Sequence, residues 1–272
     1  MVLGMASGCG GTSGSSGKEE VAASFYPLAF AAEELGGDRV DVVNLTPPGT
    51  EPHDLEPTPS DVRELKSADL VLLLGHGFQP QLEDAAGTSD RVGVLLDTPG
   101  LNRFENDDPH VWLDPVRYEL IARKVGEELS ASTSSVERFL ARLKTLDSEY
   151  RRGLAHCVRD DIVTSHDAFG YLAQRYGLHQ IPITGLSPEA EPSPKDLSRV
   201  VDLVRSTHAT TVFSETLVSP RIAEAVASET GARTAVLNPI EGLEPSEAAR
   251  GEDYFSLMRS NLAVLRAALG CR

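Results

Sequence analysis

Three histidines sit in contexts that suit metal chemistry. His53 lies in the proline-rich stretch "PPGTEPHDLEPTP", His110 in "DDPHVWLDP" and His166 in "VTSHDAFGY". Each has a proline or an aspartate beside it, which restrains the ring and offers a carboxylate to orient it through its second nitrogen. Neutral imidazole is the commonest nitrogen ligand of Zn2+, and three of them with one further oxygen or water make the usual four-coordinate arrangement. No H-x-x-x-H or C-x-x-C pair accompanies them, so the chemistry depends on a fold that brings distant segments together. Trp112, the single tryptophan, follows His110 by two residues and is expected to pack the start of the next helix and shield the imidazole.

The elements that must do the positioning follow from the hydrophobic pattern. From Glu19 onward, short apolar runs alternate with helical ones, the signature of α/β layers with parallel strands. In the first half, strands are expected in "VAASFYP", "RVDVVNLTP", "DLVLLLG" and "RVGVLLD", with helices in "LAFAAEELGG" and "TPSDVRELKSA". In the second half, "DIVTS", "HQIPITG", "TTVFSE" and "RTAVLN" read as strands. They are separated by helices in "DAFGYLAQRYG", "SPKDLSRVVDLVRS" and "SPRIAEAVASETG" and closed by "DYFSLMRSNLAVLRAALG". His53, His110 and His166 all fall at or near the C-terminal ends of these strands, the edge where open α/β sheets bind ligands. His76, between two glycines, is expected to mark a turn bordering the cleft. His156, His179 and His208 precede or begin strands, at the opposite edge.

Between the halves, residues from Pro115 to about Arg152 carry apolar side chains at helical spacing: Leu120, Val125, Leu129, Val136, Leu140, Leu143 and Leu146. Two readings fit, a pair of helices broken around "SASTSS" or one long bent helix. Both make the connection stiff. The expected organisation is an N-terminal lobe over residues 19–115, a linking helix over 116–152 and a C-terminal lobe over 153–272.

Residues 1–18 read differently. A short apolar start, small residues, Cys9 and then a Gly/Ser tract resemble the end of a bacterial lipoprotein signal, with Cys9 as the lipid-bearing residue and the tract as a tether. Cys157 and Cys271 are then left as a candidate disulfide, with free buried thiols as the alternative. The chain has 272 residues and a formal net charge of −16, which argues against nucleic acid and anionic lipid as partners and favours attraction of cations. No apolar run reaches the roughly 18–20 residues that would span a bilayer.

Six ordered stretches also carry a family resemblance: "TPPGTEPHDLEPTPSDVRELKSADLVLLLGHGFQ", "DPHVWLDP", "SHDAFGYLAQRYGL", "SPEAEPSPKDL", "FSETLVSPRIAEAVASETGA" and "VLNPIEGL". Together they resemble the metal-binding solute-binding proteins of zinc and manganese ABC importers, from about Val21 to the C-terminus. The resemblance implies two α/β lobes joined by one long rigid helix, a metal ion in the cleft between them, and delivery to a membrane permease by a monomeric, extracytoplasmic lipoprotein or periplasmic protein. Carried over residue by residue, it implies His53, His110 and His166 as ligands. The manganese-type branch has a glutamate where His166 stands, and a third imidazole favours Zn2+ over the harder Mn2+.

The fourth position departs from the pattern. Many relatives read Leu-Asp-Pro where this chain reads Leu237-Asn238-Pro239, which leaves Asn238 or a water as the favoured fourth ligand and Glu215 as another. The loop before His110, "LNRFENDDPH", is also short; its acids Glu105, Asp107 and Asp108 read as a solvated acidic loop. Two rival functions remain: a surface adhesin on the same fold, and a zinc hydrolase in which Glu215 would serve as the base. No nucleophile elbow, P-loop or dinucleotide fingerprint supports an enzyme.

Overall fold

The computed structural model describes residues 17–87, 89–101 and 107–272. Cys9, the Gly/Ser tract before residue 17 and Glu105 lie outside the described residues. The N-terminal half runs β1 (Glu19–Ala23), α1 (Tyr26–Gly36), β2 (Val40–Asn44), α2 (Pro59–Ser67), β3 (Leu70–Leu73), α3 (Pro80–Ala86) and β4 (Val92–Val94). Two helices follow, α4 (Pro115–Glu128) and α5 (Thr133–Leu154). The C-terminal half runs β5 (Asp161–Thr164), α6 (Gly170–Tyr176), β6 (His179–Pro182), α7 (Pro194–Thr207), β7 (Thr211–Ser214), α8 (Arg221–Thr230), β8 (Arg233–Val236), α9 (Pro245–Ala249) and α10 (Tyr254–Leu269).

The strands form two four-stranded sheets, ordered β2-β1-β3-β4 and β6-β5-β7-β8, and every pairing is parallel. Both lobes therefore use one topology, although no residue-level repeat is visible in the sequence. The inner strand β3 reads "LVLL" and is buried throughout, as a strand covered by helices on both faces must be. The first strand lies slightly earlier than its apolar pattern suggests. It stops at Ala23 because Pro27 enters the first turn of α1, where its missing N–H costs nothing.

The connection is a helix pair rather than one continuous helix. α4 ends at Glu128, Ser130 takes a left-handed φ of 45°, and the Ser132 hydroxyl accepts the Ser135 N–H to start α5. The two helices then pack against each other. A Cβ on Gly126 would come within 3.0 Å of Val136 Cγ2, so glycine there permits the close approach. At 22 residues, α5 is about 33 Å long and forms the spine of the molecule.

That spine is glued to both lobes by rings. Phe139 of α5 meets Phe30 of α1 at 5.9 Å, Tyr118 of α4 at 5.9 Å and Phe255 of α10 at 5.7 Å between centroids. Tyr150 of α5 donates to the Met258 carbonyl at 2.6 Å. One continuous apolar core runs from β1 and α1 through α4 and α5 to α6 and α10, so no solvent layer separates the lobes along this side. Cys157, just past α5, is disulfide-bonded to Cys271, just past α10. The candidate pairing is thus the one the fold makes.

Candidate metal centre

The donors arrive on loops that leave the C-terminal ends of strands. His53 follows β2, His110 follows β4, His166 follows β5 by two residues, and Glu241 follows β8. Two cross-lobe hydrogen bonds hold the loops together. Gly49 N–H donates to the Leu243 carbonyl at 2.8 Å, and Trp112 Nε1 donates to the Pro239 carbonyl at 2.7 Å. The ring centroids of the three histidines lie 5.1–6.0 Å apart.

All three Nε2 atoms converge on one carboxylate oxygen. Glu241 Oε1 stands 3.1 Å from His110 Nε2, 3.4 Å from His53 Nε2 and 3.5 Å from His166 Nε2, and the His110 and His166 nitrogens are 3.3 Å apart. A tetrahedron with bonds of 2.0–2.1 Å has edges of about 3.3 Å. The donor spacing therefore fits a four-coordinate zinc ion with little rearrangement. His110, His166 and Glu241 are almost wholly buried, whereas His53 and the neighbouring Glu51 each keep 11% of their side chains exposed. Solvent reaches the cluster on the His53 side.

The two buried histidines are aimed in the same way. Asp108 Oδ1 accepts the His110 backbone N–H at 2.9 Å and lies 2.7 Å from its Nδ1. Glu215 Oε1 accepts the His166 backbone N–H at 3.1 Å, and its other oxygen stands 2.6 Å from Nδ1. With Nδ1 turned to a carboxylate, Nε2 faces the centre and can ligate a metal there once it carries no proton. The "DDPHVWLDP" motif is thereby explained. Its first Asp-Pro step places Asp108 on His110, and its second makes Asp114 the cap of α4, accepting the Val116 N–H at 2.9 Å. Trp112 is buried beside His110, with its ring against Phe25 and Phe78, as expected of a shield.

The family model for the periplasmic component A of zinc-uptake complexes, ZnuA, matches residues 21–268. The chain belongs to the ZnuA family. Among its relatives, the zinc-binding protein AdcA of Streptococcus pyogenes serotype M1 is 32% identical over 287 residues, covering 92% of this chain. The chain spans 56% of that relative's length. The high-affinity zinc uptake system protein ZnuA of Bacillus subtilis is 31% identical, with 93% of this chain and 88% of that protein covered. Among solved structures, the Zn(II)-bound ZnuA-like domain of Streptococcus pneumoniae AdcA superposes with a TM-score of 0.79 at 32% identity, covering 93% of this chain and 99% of that one. The laminin-binding protein Lmb of Streptococcus agalactiae, described as having adhesin and metal transporting activity, superposes at 0.84 with 32% identity, covering 92% and 99%.

In this ZnuA-family chain the group that faces the three imidazoles is not one of those expected from the sequence. Asn238 does not face the imidazoles. Its Oδ1 accepts the Ile240 N–H at 2.7 Å and its Nδ2 donates to Glu247 at 3.2 Å, so both ends of the amide are committed to the turn. Glu215 lies on the Nδ1 side of His166, behind the ring rather than in front of it. Glu241, three residues past Asn238, is the acid that stands with the three imidazoles in a group that could hold a metal ion, and its residue type did not single it out inside the motif "VLNPIEGL". The available signal was the turn itself, which ends at Gly242, where a Cβ would press on Leu217 at 3.3 Å.

Charge sets the protonation of the ZnuA-type cluster. Burial disfavours the His166 imidazolium, but Glu215 and then Glu241 outweigh it and raise its pKa to about 10. Burial likewise opposes a charged His110, and Asp108 and Glu241 together still lift it above its ordinary value. Burial pushes the Glu241 carboxyl up, yet contacts with His110, His166 and His53 hold it well below the usual range. The remaining histidines stand apart. His76 is exposed and 2.7 Å from Asp97, His208 ends α7 in a left-handed conformation, and His179 lies among Asp160 and Asp161 at the opposite sheet edge. Asp108, expected in a solvated loop, is instead buried against His110.

Proposed function

We propose that the chain is an extracytoplasmic solute-binding protein that captures Zn2+ and delivers it to the permease of an ABC importer. The observation that carries this reading is the convergence of three imidazole nitrogens on Glu241 Oε1 at 3.1–3.5 Å. His53, His110, His166 and Glu241 would hold the ion, with residues 19–115 and 153–272 supplying the two lobes and residues 116–152 the connection between them. Three nitrogen donors and one oxygen suit the borderline-soft Zn2+ better than Mn2+, which prefers oxygen-rich, higher-coordinate sites.

Four protein donors complete a tetrahedron, the closed arrangement of a site that holds metal, whereas a catalytic zinc keeps one position for water. Glu215, the base a hydrolase would need, is already engaged with His166. Binding without turnover is therefore the better fit. The relative from Streptococcus pneumoniae is a zinc-binding lipoprotein, which supports Cys9 as a lipid anchor here. Among the described residues, no helix is long and apolar enough to cross a membrane.

Metal analysis of untagged protein purified without chelators should give one zinc per chain. In a competition titration, His166→Ala should weaken zinc binding by at least about 100-fold, beyond the 10- to 100-fold typical of outer-sphere changes, while His179→Ala leaves it unchanged. Equal losses in the two variants would place the site elsewhere.

A further inference from the structure

The turn that carries Glu241 is strained and clamped from two sides. Ile240, a β-branched residue, has a φ of 58°, in the left-handed region such side chains avoid. On one side Asn238 Oδ1 accepts the Ile240 N–H at 2.7 Å, while the Asn238 backbone exchanges two hydrogen bonds with the Asn261 amide of α10, at 2.9 and 2.6 Å. Both asparagines are buried. On the other side Trp112 Nε1 donates to the Pro239 carbonyl at 2.7 Å, and the Trp112 carbonyl is itself held by the Tyr254 hydroxyl at 2.6 Å. The peptide just before Glu241 is thus gripped by α10 and by the segment that bears His110.

We propose that Asn238, Asn261 and Trp112 are positioning residues that fix the Glu241 carboxylate opposite the three imidazoles, and that this clamp, rather than the donor types alone, enforces four-coordination and so the preference for Zn2+ over Mn2+. The proposal rests on the metal-site reading above. A strained turn returns to ordinary backbone angles once its hydrogen bonds are removed. Glu241 would then swing away from the ring nitrogens. Three imidazoles with room for waters accept ions of higher coordination number, so the loss appears first in selectivity and coordination geometry.

Cobalt substitution of the full chain reads this directly, because tetrahedral Co2+ absorbs intensely in the visible and five- or six-coordinate Co2+ only weakly. Trp112→Phe keeps an aromatic ring in the core but removes the donor, and Asn238→Ala removes the acceptor for Ile240. Both should change the tetrahedral absorption in position and intensity as water replaces the carboxylate, narrow the Zn2+/Mn2+ affinity ratio and bind zinc about 10- to 100-fold more weakly. Asn238→Asp combined with Glu247→Gln, which still accepts the Ile240 N–H and gives the new carboxylate an amide donor in place of a like charge, should restore the spectrum. Circular dichroism selects the variants that fold, and Trp112→Phe alone suffices if Asn238→Ala does not. Wild-type spectra and selectivity in Trp112→Phe, or no recovery in the Asn238→Asp, Glu247→Gln double variant relative to Asn238→Ala, would overturn the clamp. Glu241→Ala separates the two levels. If it shifts the cobalt spectrum and weakens metal binding, the site reading stands whatever the clamp variants show; if it changes nothing, that reading itself fails.

Discussion

Zinc binding to this cluster at neutral pH should expel a proton. His166, with a pKa of about 10, is cationic there in the metal-free protein, and its Nε2 must be bare to bind metal. Isothermal titrations at about pH 7 in buffers of different ionisation enthalpy should therefore show release of at least one proton per zinc, and log affinity should rise by about one unit per pH unit until near the His166 value. Glu215→Gln removes the charge that holds the imidazolium, so proton release at pH 7 should fall. The sign for stability is opposite. A pKa raised in the folded state stabilises fully below the unfolded value of about 6.5 and is lost as pH climbs through the folded one. The metal-free Tm should accordingly drop between about pH 7 and 10 while zinc affinity grows. The same residues mark how far the sequence could be read. The histidines were legible because imidazole is rare and each stood beside a proline or an acid at a strand end. Glu241 was not, since it is one of 41 acidic residues and only the turn from Asn238 to Ile240 distinguishes it.

The eight strands were legible because parallel strands covered on both faces must be short apolar runs, and residues such as Leu70 to Leu73 have no other use. The helices α3 and α9, of seven and five residues, were not, because so few residues give little period to read; α6, also seven residues, was legible from the apolar Tyr171 and Leu172 and the stop at Gly177. The α4–α5 break was visible in "SASTSS" but could not be chosen over a bend without the packing of Gly126 on Val136. The disulfide acts at this scale. It joins the ends of α5 and α10 across 114 residues, at the strand edge away from the metal centre. Replacing both cysteines with serine should cost about 2–4 kcal/mol of stability, seen as a lower Tm and denaturation midpoint, while zinc affinity stays unchanged. A loss of affinity equal to that of His166→Ala would mean that the C-terminal lobe depends on the bond for its local geometry.

Two lobes around a buried donor cluster suggest a hinge, yet the distribution of the core argues against a large one. Phe30, Tyr118, Phe139, Tyr254 and Phe255 form a single aromatic cluster spanning α1, α4, α5 and α10, and opening the lobes would part rings that bury the most apolar area per residue. α5 adds cross-ties, with Arg142 paired to both Glu34 and Asp253. What can yield at lower cost is the proline-rich loop bearing His53, which is only partly buried and is tied to the other lobe by Gly49 N–H on Leu243. Zinc loading should then change the radius of gyration in small-angle scattering by less than about 1 Å, the scale of interface shifts in pre-organised complexes. Hydrogen exchange should slow sharply over residues 47–58 and hardly at all along α5. A compaction of several ångströms, or new protection along α5, would mean that the spine bends and that capture proceeds by closure of whole lobes rather than by the loop folding over the ion.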